Sequence, residues 1–414
     1  MAVLAPKVEI GLDLGNASTI AFKLDDAVKG KLDNTDYILG GELFYDVSNR
    51  VRNISTKRGK NQALDKIDAG NSSILFDNSD RFFDPLYPTS PFYGYLLPRR
   101  EVRISSNAYP VFYGFIEDLD FEYQPGNVST TTVQISDGFS TLTNSQLPEL
   151  TPTSQLPGAR ISYVLDQAKV NWPATKRQID TGTSLLLDTL ITEGTAALQY
   201  LQLVTQSDFG DLFIAKNGDL VFNGRKASLT YSPFIFTDDQ TISFPGTKVS
   251  YLDLNTVYGA ENLYNRIVIS NSDAVPDQVI LENTEAGAIY GIRTYSATEL
   301  LTQQVSDLTE IAQNLLDTYQ EPRYRFESVS VNLDQLDSAQ TLALLDLEIG
   351  DIVAATFTPN QIPPAISFAT RIIGISHSWT PTRKQVTFSL DTLTYGFFVL
   401  DSASFGVLDT NTLA

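Results

Sequence analysis

The sequence predicts a mainly β protein with an α/β insert, and three observations carry that prediction. Strand-like alternation dominates both ends of the 414 residues, helical spacing is confined to the middle and to the region around residue 300, and Gly and Pro break the apolar segments at short intervals. Towards the N-terminus, "VRISSNAYPVFYGFIEDLDFEYQPG" (102–126) and "STTTVQISDGFS" (129–140) set Val102, Ile104, Val133 and Ile135 on one face of pleated segments. This pattern predicts antiparallel pairing. Residues 141–158, "TLTNSQLPELTPTSQLPG", read as a linker. Beyond it Ile161, Val164, Leu165 and Ala168 recur at helical spacing, and a second helix is expected over residues 185–206. In "DFGDLFIAKNGDLVFNGR" (208–225) two apolar runs meet at Asn217-Gly218, a dipeptide favoured where both turn residues take positive φ, so a β-hairpin is expected. "SATELLTQQVSDLTEIAQNLLDTYQ" (296–320) predicts one long helix. Ser296 and Glu299 form its capping box, and Leu300, Val305, Leu308, Ile311 and Leu315 supply its apolar stripe. The remaining "YRFESVSV" (324–331), "GDIVAATF" (350–357), "ATRIIGISHSW" (369–379) and "KQVTFSL" (384–390) predict a compact β-barrel or sandwich.

Composition narrows the function. The chain has room for two to four domains. Its 29 Lys and Arg face 49 Asp and Glu, a formal charge of -20, so it repels the phosphate backbone and is disfavoured as a sequence-reading DNA binder. The absence of cysteine rules out disulfides, thiolate metal sites and thiol redox chemistry, and fits assembly in a reducing cytoplasm. "MAVLAPKVEIGLDLG" lacks the apolar core of a signal peptide, and no run approaches the roughly 18 apolar residues of a membrane-spanning segment.

No motif for catalysis survives inspection. "VEIGLDLGNAST" (8–19), with Asp13 at the strand end, is similar to the first phosphate loop of the actin and heat-shock ATPase superfamily. The segments nearest to the required second phosphate loop and adenosine loop, "ISDGFS" (135–140) and "LGGE" (39–42), lack the glycine pattern, so a strand entering a turn is the expected reading. Asp77, Asn78, Asp80 and Asp84 lack the alternation and glycine of a calcium loop and read as turn formers. His377, in a strand near Trp379, has no nucleophile or orienting acid that the sequence places beside it, and no two acids are singled out for glycoside hydrolysis. No catalytic residue, metal or cofactor is expected.

Residues 57–104 form a ribbon of another kind. Arg58, Arg81, Arg99, Arg100 and Arg103 offer planar forks for carboxylates, and Phe82, Phe83, Tyr87, Phe92, Tyr93 and Tyr95 offer rigid apolar area. Pro85, Pro88, Pro91 and Pro98 stiffen the connection, and Arg81 with Asp84 shapes a turn. Arg58, Arg81, Phe82, Phe83, Asp84, Tyr93, Arg99, Arg100 and Arg103 are therefore the candidate contact residues. The loop either holds its barrel against neighbouring chains or domains, or wraps that barrel internally.

The ordered segments "KLDDAVKGKLDNTDYILGG" (23–41), "LFYDVSNRVRNISTKRGKNQ" (43–62), "AGNSSILFDNSDRFFDP" (69–85), "SPFYGYLLPRREVRI" (90–104) and "FYGFIEDLDFEY" (112–123) together resemble minor tail proteins of long-tailed bacteriophages. That family forms the tail-tip or baseplate hub. The resemblance covers roughly residues 22–126, with echoes in "NWPATKRQIDTG" (171–182), in residues 208–225, in "GDIV" (350–353) and in "IIGISHSW" (372–379). It implies two tube-like β-barrel domains with smaller inserts, arranged as a barrel over residues 1–145, an α/β insert over 146–235, a second β domain ending in a long helix over 236–322, and a C-terminal barrel over 323–414. It further implies a homotrimer at the tail tip of the virion, assembled in the host cytoplasm. The implied partners are a distal tail ring or tail tube protein, a tape measure protein and tip or receptor-binding proteins, with DNA present only in transit through the lumen; the surplus of 20 negative charges suits a chain that lines it. A receptor- or glycan-binding tail module is the alternative.

Overall fold

The structure, a computed structural model, describes residues 6–12, 31, 43–126, 128–227, 231–393, 396–397 and 411–412. Asp13 and residues 39–42, named in the phosphate-loop comparison, lie outside them. The N-terminal half comprises β1 (Pro6–Leu12), β2 (Leu43–Asp46), β3 (Val51–Gly59), β4 (Asn71–Asp77), β5 (Glu101–Ser106), β6 (Tyr109–Gln124) and β7 (Val128–Ser136). Then come α1 (Phe139–Asn144), α2 (Pro157–Leu165), β8 (Arg177–Ile179), α3 (Ala197–Asp208), β9 (Asp211–Ile214) and β10 (Leu220–Asn223). Strands β11 (Tyr231–Thr237), β12 (Thr247–Val249) and β13 (Asp253–Tyr258) precede a small layer of β14 (Arg266–Asn271), β15 (Gln278–Glu282), α4 (Thr284–Tyr290), β16 (Thr294–Leu300) and α5 (Val305–Tyr319). The chain returns through β17 (Tyr324–Asn332), α6 (Ser338–Asp346), β18 (Ile352–Phe357), β19 (Ile366–Thr380) and β20 (Arg383–Thr392).

The expected β character is borne out. Val102, Ile104, Val133 and Ile135 are all buried on one face, and all four C-terminal segments are strands. Fourteen strands form one hydrogen-bonded sheet. Seven of them, in the order β3-β4-β7-β6-β5-β1-β2, make the N-terminal half, and β12-β11-β18-β19-β20-β17-β13 make the C-terminal half.

Strand β19 joins the two halves. One edge pairs with β20 from Thr370 to Thr380; the other pairs with β18 from Ile366 to Arg371 and then with β3 from Gly374 to Trp379. The change of partner requires two backbones to approach closely at Gly59 and Gly374. A Cβ on Gly59, which has φ +84°, would lie 2.3 Å from the Ile373 carbonyl oxygen, and one on Gly374 would lie 2.5 Å from that of Lys60.

Four local expectations need correction. Residues 141–158 are not a linker. Leu142 and Leu147 are fully buried, and the segment runs antiparallel to residues 186–196 through bridges at Gln146, Leu150 and Gln155. That pairing also displaces the start of the second helix, so α3 begins at Ala197. The β-branched Thr189, Ile191, Thr192 and Thr195 and the positive-φ Gly194 favour the extended partner of this ladder over helix. The hairpin forms, but the Ala215 amide donates to the Asp219 carbonyl across a three-residue turn in which only Gly218 of the Asn-Gly pair has positive φ, so the turn is not the two-residue type. Finally, Ser296 and Glu299 belong to β16, which pairs in parallel with β14 through a bulge at which Glu299 takes φ +62°. The helix starts later, as α5, with Gln304 at its N-cap and no side-chain cap. Leu308, Ile311 and Leu315 are its buried stripe, as expected, whereas Leu300 is buried from the strand and Val305 is half exposed. Strand pairing overrides a local helix-start signature here.

Candidate assembly surfaces

The side chains that point away from the core form one continuous polar face across eight strands. Directly opposed residues in antiparallel strands share a face. One such row runs Asp253, Ser330, Thr387, Ser376, Lys57, Asn71 and Ser136. A second runs Asn332, Gln385, Ser378, Ser55, Ser73, Gln134 and Asp118. The residues between them point inward: Val331, Val386, His377, Thr56, Ser72 and Ile135 are all buried, as are Trp379, Ile54 and Ile74 in the next inward row. Hydroxyl and amide groups therefore fill most of the centre of the face, where Lys57 on β3 is the one charged residue that the two rows place, and acids sit at the margins, as Asp118, Asp120 and Glu122 on β6 and Asp253 on β13. The signal was present in the sequence, where "NIST", "NSSI", "TTVQIS", "SVSVN" and "VTFSL" alternate small polar with apolar residues.

The ribbon has two sides. Phe83 and Phe92 are fully buried and stacked at 5.4 Å, and Phe82 packs edge-on against both beside Tyr45 and Phe76. Arg50 lies 3.6 Å above the Phe82 ring and makes a bidentate pair with Asp80 at 2.8 and 2.9 Å. Arg81 pairs with Asp84 at 2.6 Å and covers Tyr87, which fixes the expected turn. Asp77 accepts from Ser79 and Arg52, and Asn78 accepts from the Phe83 amide, so these residues all act in turns or ion pairs. Arg99 donates to Glu117 at 2.6 Å and to Ser140 at 2.7 Å, Arg100 donates to the Tyr95 carbonyl at 3.2 Å, and Arg103 stacks 3.4 Å over Phe44. The other side faces solvent with Leu86, Tyr93 and Leu97.

Arg58 is separate from the rest of the ribbon. It lies on β3 with its side chain 3% exposed, and donates to Glu348 at 2.7 Å beside the Ile214 carbonyl, so it ties the N-terminal half to the insert and to the turn before β18. Nearby, buried Asp137 accepts from the amides of Gly70 at 2.7 Å and Phe139 at 2.9 Å. Burial pushes its carboxyl up to about 7, against the pull of those amides and of Arg58.

His377 is also buried at this junction, with Nδ1 3.0 Å from the Thr56 hydroxyl and its ring edge-on to Trp379. Burial, reinforced by Arg58 and Lys216, lowers its pKa from 6.5 to about 3. A base held neutral in this way contributes stability that is complete above pH 6.5 and is lost as pH falls towards 3. The stability difference between the wild type and His377→Gln should therefore narrow by about 2 kcal/mol from pH 7 to pH 5. Asp137 acts in the opposite sense, losing its contribution as pH rises towards 7, but it is common to both chains. Urea titrations of the two proteins at both pH values measure the change, and a difference independent of pH would show that the imidazole titrates normally.

The arrangement of the two halves has counterparts among solved structures. A tail protein from Neisseria meningitidis MC58 superposes with a TM-score of 0.58 at 11% identity, over 94% of this chain and 96% of that one. The fold is that of phage tail proteins. The 43 kDa tail protein of prophage MuSo2 from Shewanella oneidensis matches this tail-protein fold with a TM-score of 0.57 at 11% identity, over 93% and 98% of the two chains. The E. coli c3393 protein, a type VI secretion component described as similar to T4 tail proteins gp27 and gp5, matches with a TM-score of 0.50 at 10% identity, over 84% and 78%. No family model matches the sequence, and no curated protein matches it. The mainly β, tail-hub-like architecture expected from the sequence is thus the observed one. Among the described residues no helix is long and apolar enough to cross a membrane.

Proposed function

We propose that the chain is a structural subunit of the phage tail tip, three copies of which form the hub ring that closes the tail tube, with the polar face turned to the channel. The continuous hydroxyl and amide face carries this reading. A wall that conducts DNA should offer phosphates few cations to bind and no dense field to climb, and a face whose two rows carry the single cation Lys57 among hydroxyls and amides, with acids towards its margins, comes close to both conditions. The surplus of 20 negative charges is therefore not concentrated at the centre of the wall; the acids there include Asp77, Asp118, Asp120, Glu122 and Asp253 towards its margins. Two seven-strand halves per chain give three chains a pseudo-sixfold surface to match a hexameric tube ring. The solvent side of the ribbon, with Leu86, Tyr93 and Leu97, then meets a neighbouring chain or the distal tail ring, while its arginines and phenylalanines hold it to its own barrel. The tape measure protein and the tip or receptor-binding proteins are the remaining partners, and the role is structural rather than enzymatic.

Lysines on the face test the channel. Ser55→Lys, Ser73→Lys and Thr387→Lys together should leave folding and particle assembly intact, yet slow DNA release from triggered particles about tenfold through new phosphate contacts. Normal particles with unchanged release would remove the face from the channel, and particles that fail to assemble would place it in an interface.

A further inference from the structure

A cavity of about 500 Å³ lies between the β3–β4 loop, α3, α5 and the base of β19 and β20. Its apolar wall is built by Leu64, Ile67, Phe209, Ile311, Leu315 and Tyr319. Its charged floor is mostly closed on itself. Asp211 accepts from Lys60 at 2.7 Å and from Arg371 at 3.2 Å, and Arg371 reaches Asp391 at 3.5 Å. Arg225 is the exception. Its backbone amide is anchored on Asp208 at 3.2 Å and its side chain is 9% exposed, yet none of its three guanidinium nitrogens has a hydrogen-bond acceptor. Glu310, the carboxylate paired with it, stands 3.7 Å away and is already held by Lys226 at 2.7 Å. A buried guanidinium without acceptors is an unmet demand for an anionic oxygen group. Arg225 forms part of the cavity wall, so a rotamer change of this flexible side chain brings its fork to an occupant.

We infer that this cavity binds an amphiphile with a single anionic head, its apolar body lying between Ile67, Phe209 and Leu315 and its head group on Arg225. An aromatic or aliphatic body matches the wall, and a carboxylate or sulfonate matches the planar fork. A free amphiphile and an acidic side chain flanked by an apolar residue in a protein segment share this chemistry.

The probe is 8-anilinonaphthalene-1-sulfonate, titrated into the full-length chain and followed by its fluorescence. Saturable binding of one molecule per chain is expected. Arg225→Gln should weaken it about tenfold, the loss of one charge-assisted contact. Asn314→Trp, at an exposed cavity-lining position of α5, should abolish it without disturbing the core, and keeps the test decisive if the Arg225 variant does not fold. Displacement of the probe by decanoate alone assigns a free amphiphile, and displacement by acetyl-Phe-Asp-amide alone assigns a protein segment. Binding without fixed stoichiometry, binding that both variants leave unchanged, or displacement by neither competitor overturns the proposal.

Discussion

Arg58→Ala is expected to destabilise the chain by about 3 kcal/mol, because it removes the buried partner of a part-buried ion pair and leaves Glu348 with only the more distant Lys216 ammonium as counter-charge. Glu348 is held from several directions. Its Oε1 accepts from Arg58 at 2.7 Å and from the Ile349 amide at 2.9 Å, and its Oε2 accepts from the Lys216 amide at 3.0 Å. Without Arg58 this carboxylate keeps its backbone donors and loses its only guanidinium. Asp137 loses the one nearby cation that draws its carboxyl down. The stabilising role is positional as well as electrostatic, since Arg58 alone links β3 to both the Glu348 turn and the Ile214 carbonyl. Arg58→Met, which keeps most of the side chain's packing, should be nearly as damaging. Chemical denaturation of both variants measures this, and a loss below about 1 kcal/mol would show that the pair behaves as an exposed one does.

Gly59→Ala should have a comparable or larger effect, about 4 kcal/mol or more, and should reduce soluble yield. Two costs add at this position: an L side chain in the left-handed region, and a Cβ 2.3 Å from a backbone oxygen that is itself fixed by the Lys60 amide at 2.9 Å. Neither can relax without separating β3 from β19, the pairing that holds the halves together. Gly94→Ala is the control. It shares the positive φ, at +74°, but nothing lies within 4 Å of its Cβ, so it should lose only about 1 kcal/mol. Equal melting temperatures for the two variants would show that the junction is not tightly packed.

Much of this architecture was legible in the sequence because period-2 alternation is a local property. The strands around Val102, Ile104, Val133 and Ile135, and those of the C-terminal segments, announce themselves whatever they pair with. What was not legible depended on partners distant in the chain. Residues 185–196 carry helix-compatible spacing, and it is their pairing with 146–155, helped by β-branched residues and Gly194, that makes them extended. Ser296 and Glu299 satisfy a helix-start pattern, and only β14 claims them for a sheet. The ribbon was half legible. Its aromatics and arginines were recognisable as contact residues, but that Phe82, Phe83 and Phe92 turn inward while Leu86, Tyr93 and Leu97 turn outward depends on register. Arg58 read as one more ribbon arginine, whereas its burial against Glu348, 290 residues away, is a tertiary fact. The polar face was encoded in every strand and became visible only when the registers aligned the strands.

The central claim is a threefold ring with a polar channel, and mass measurement with electron-microscope imaging of the assembled protein tests it most directly. The expected result is three copies per ring around an open centre. Single cysteines introduced at Ser55 and Ser378 into this cysteine-free chain should react with a small maleimide but be shielded from one carried on a bulky polymer. A ring of six copies, a closed centre, or free reaction of both positions with the bulky reagent would contradict it.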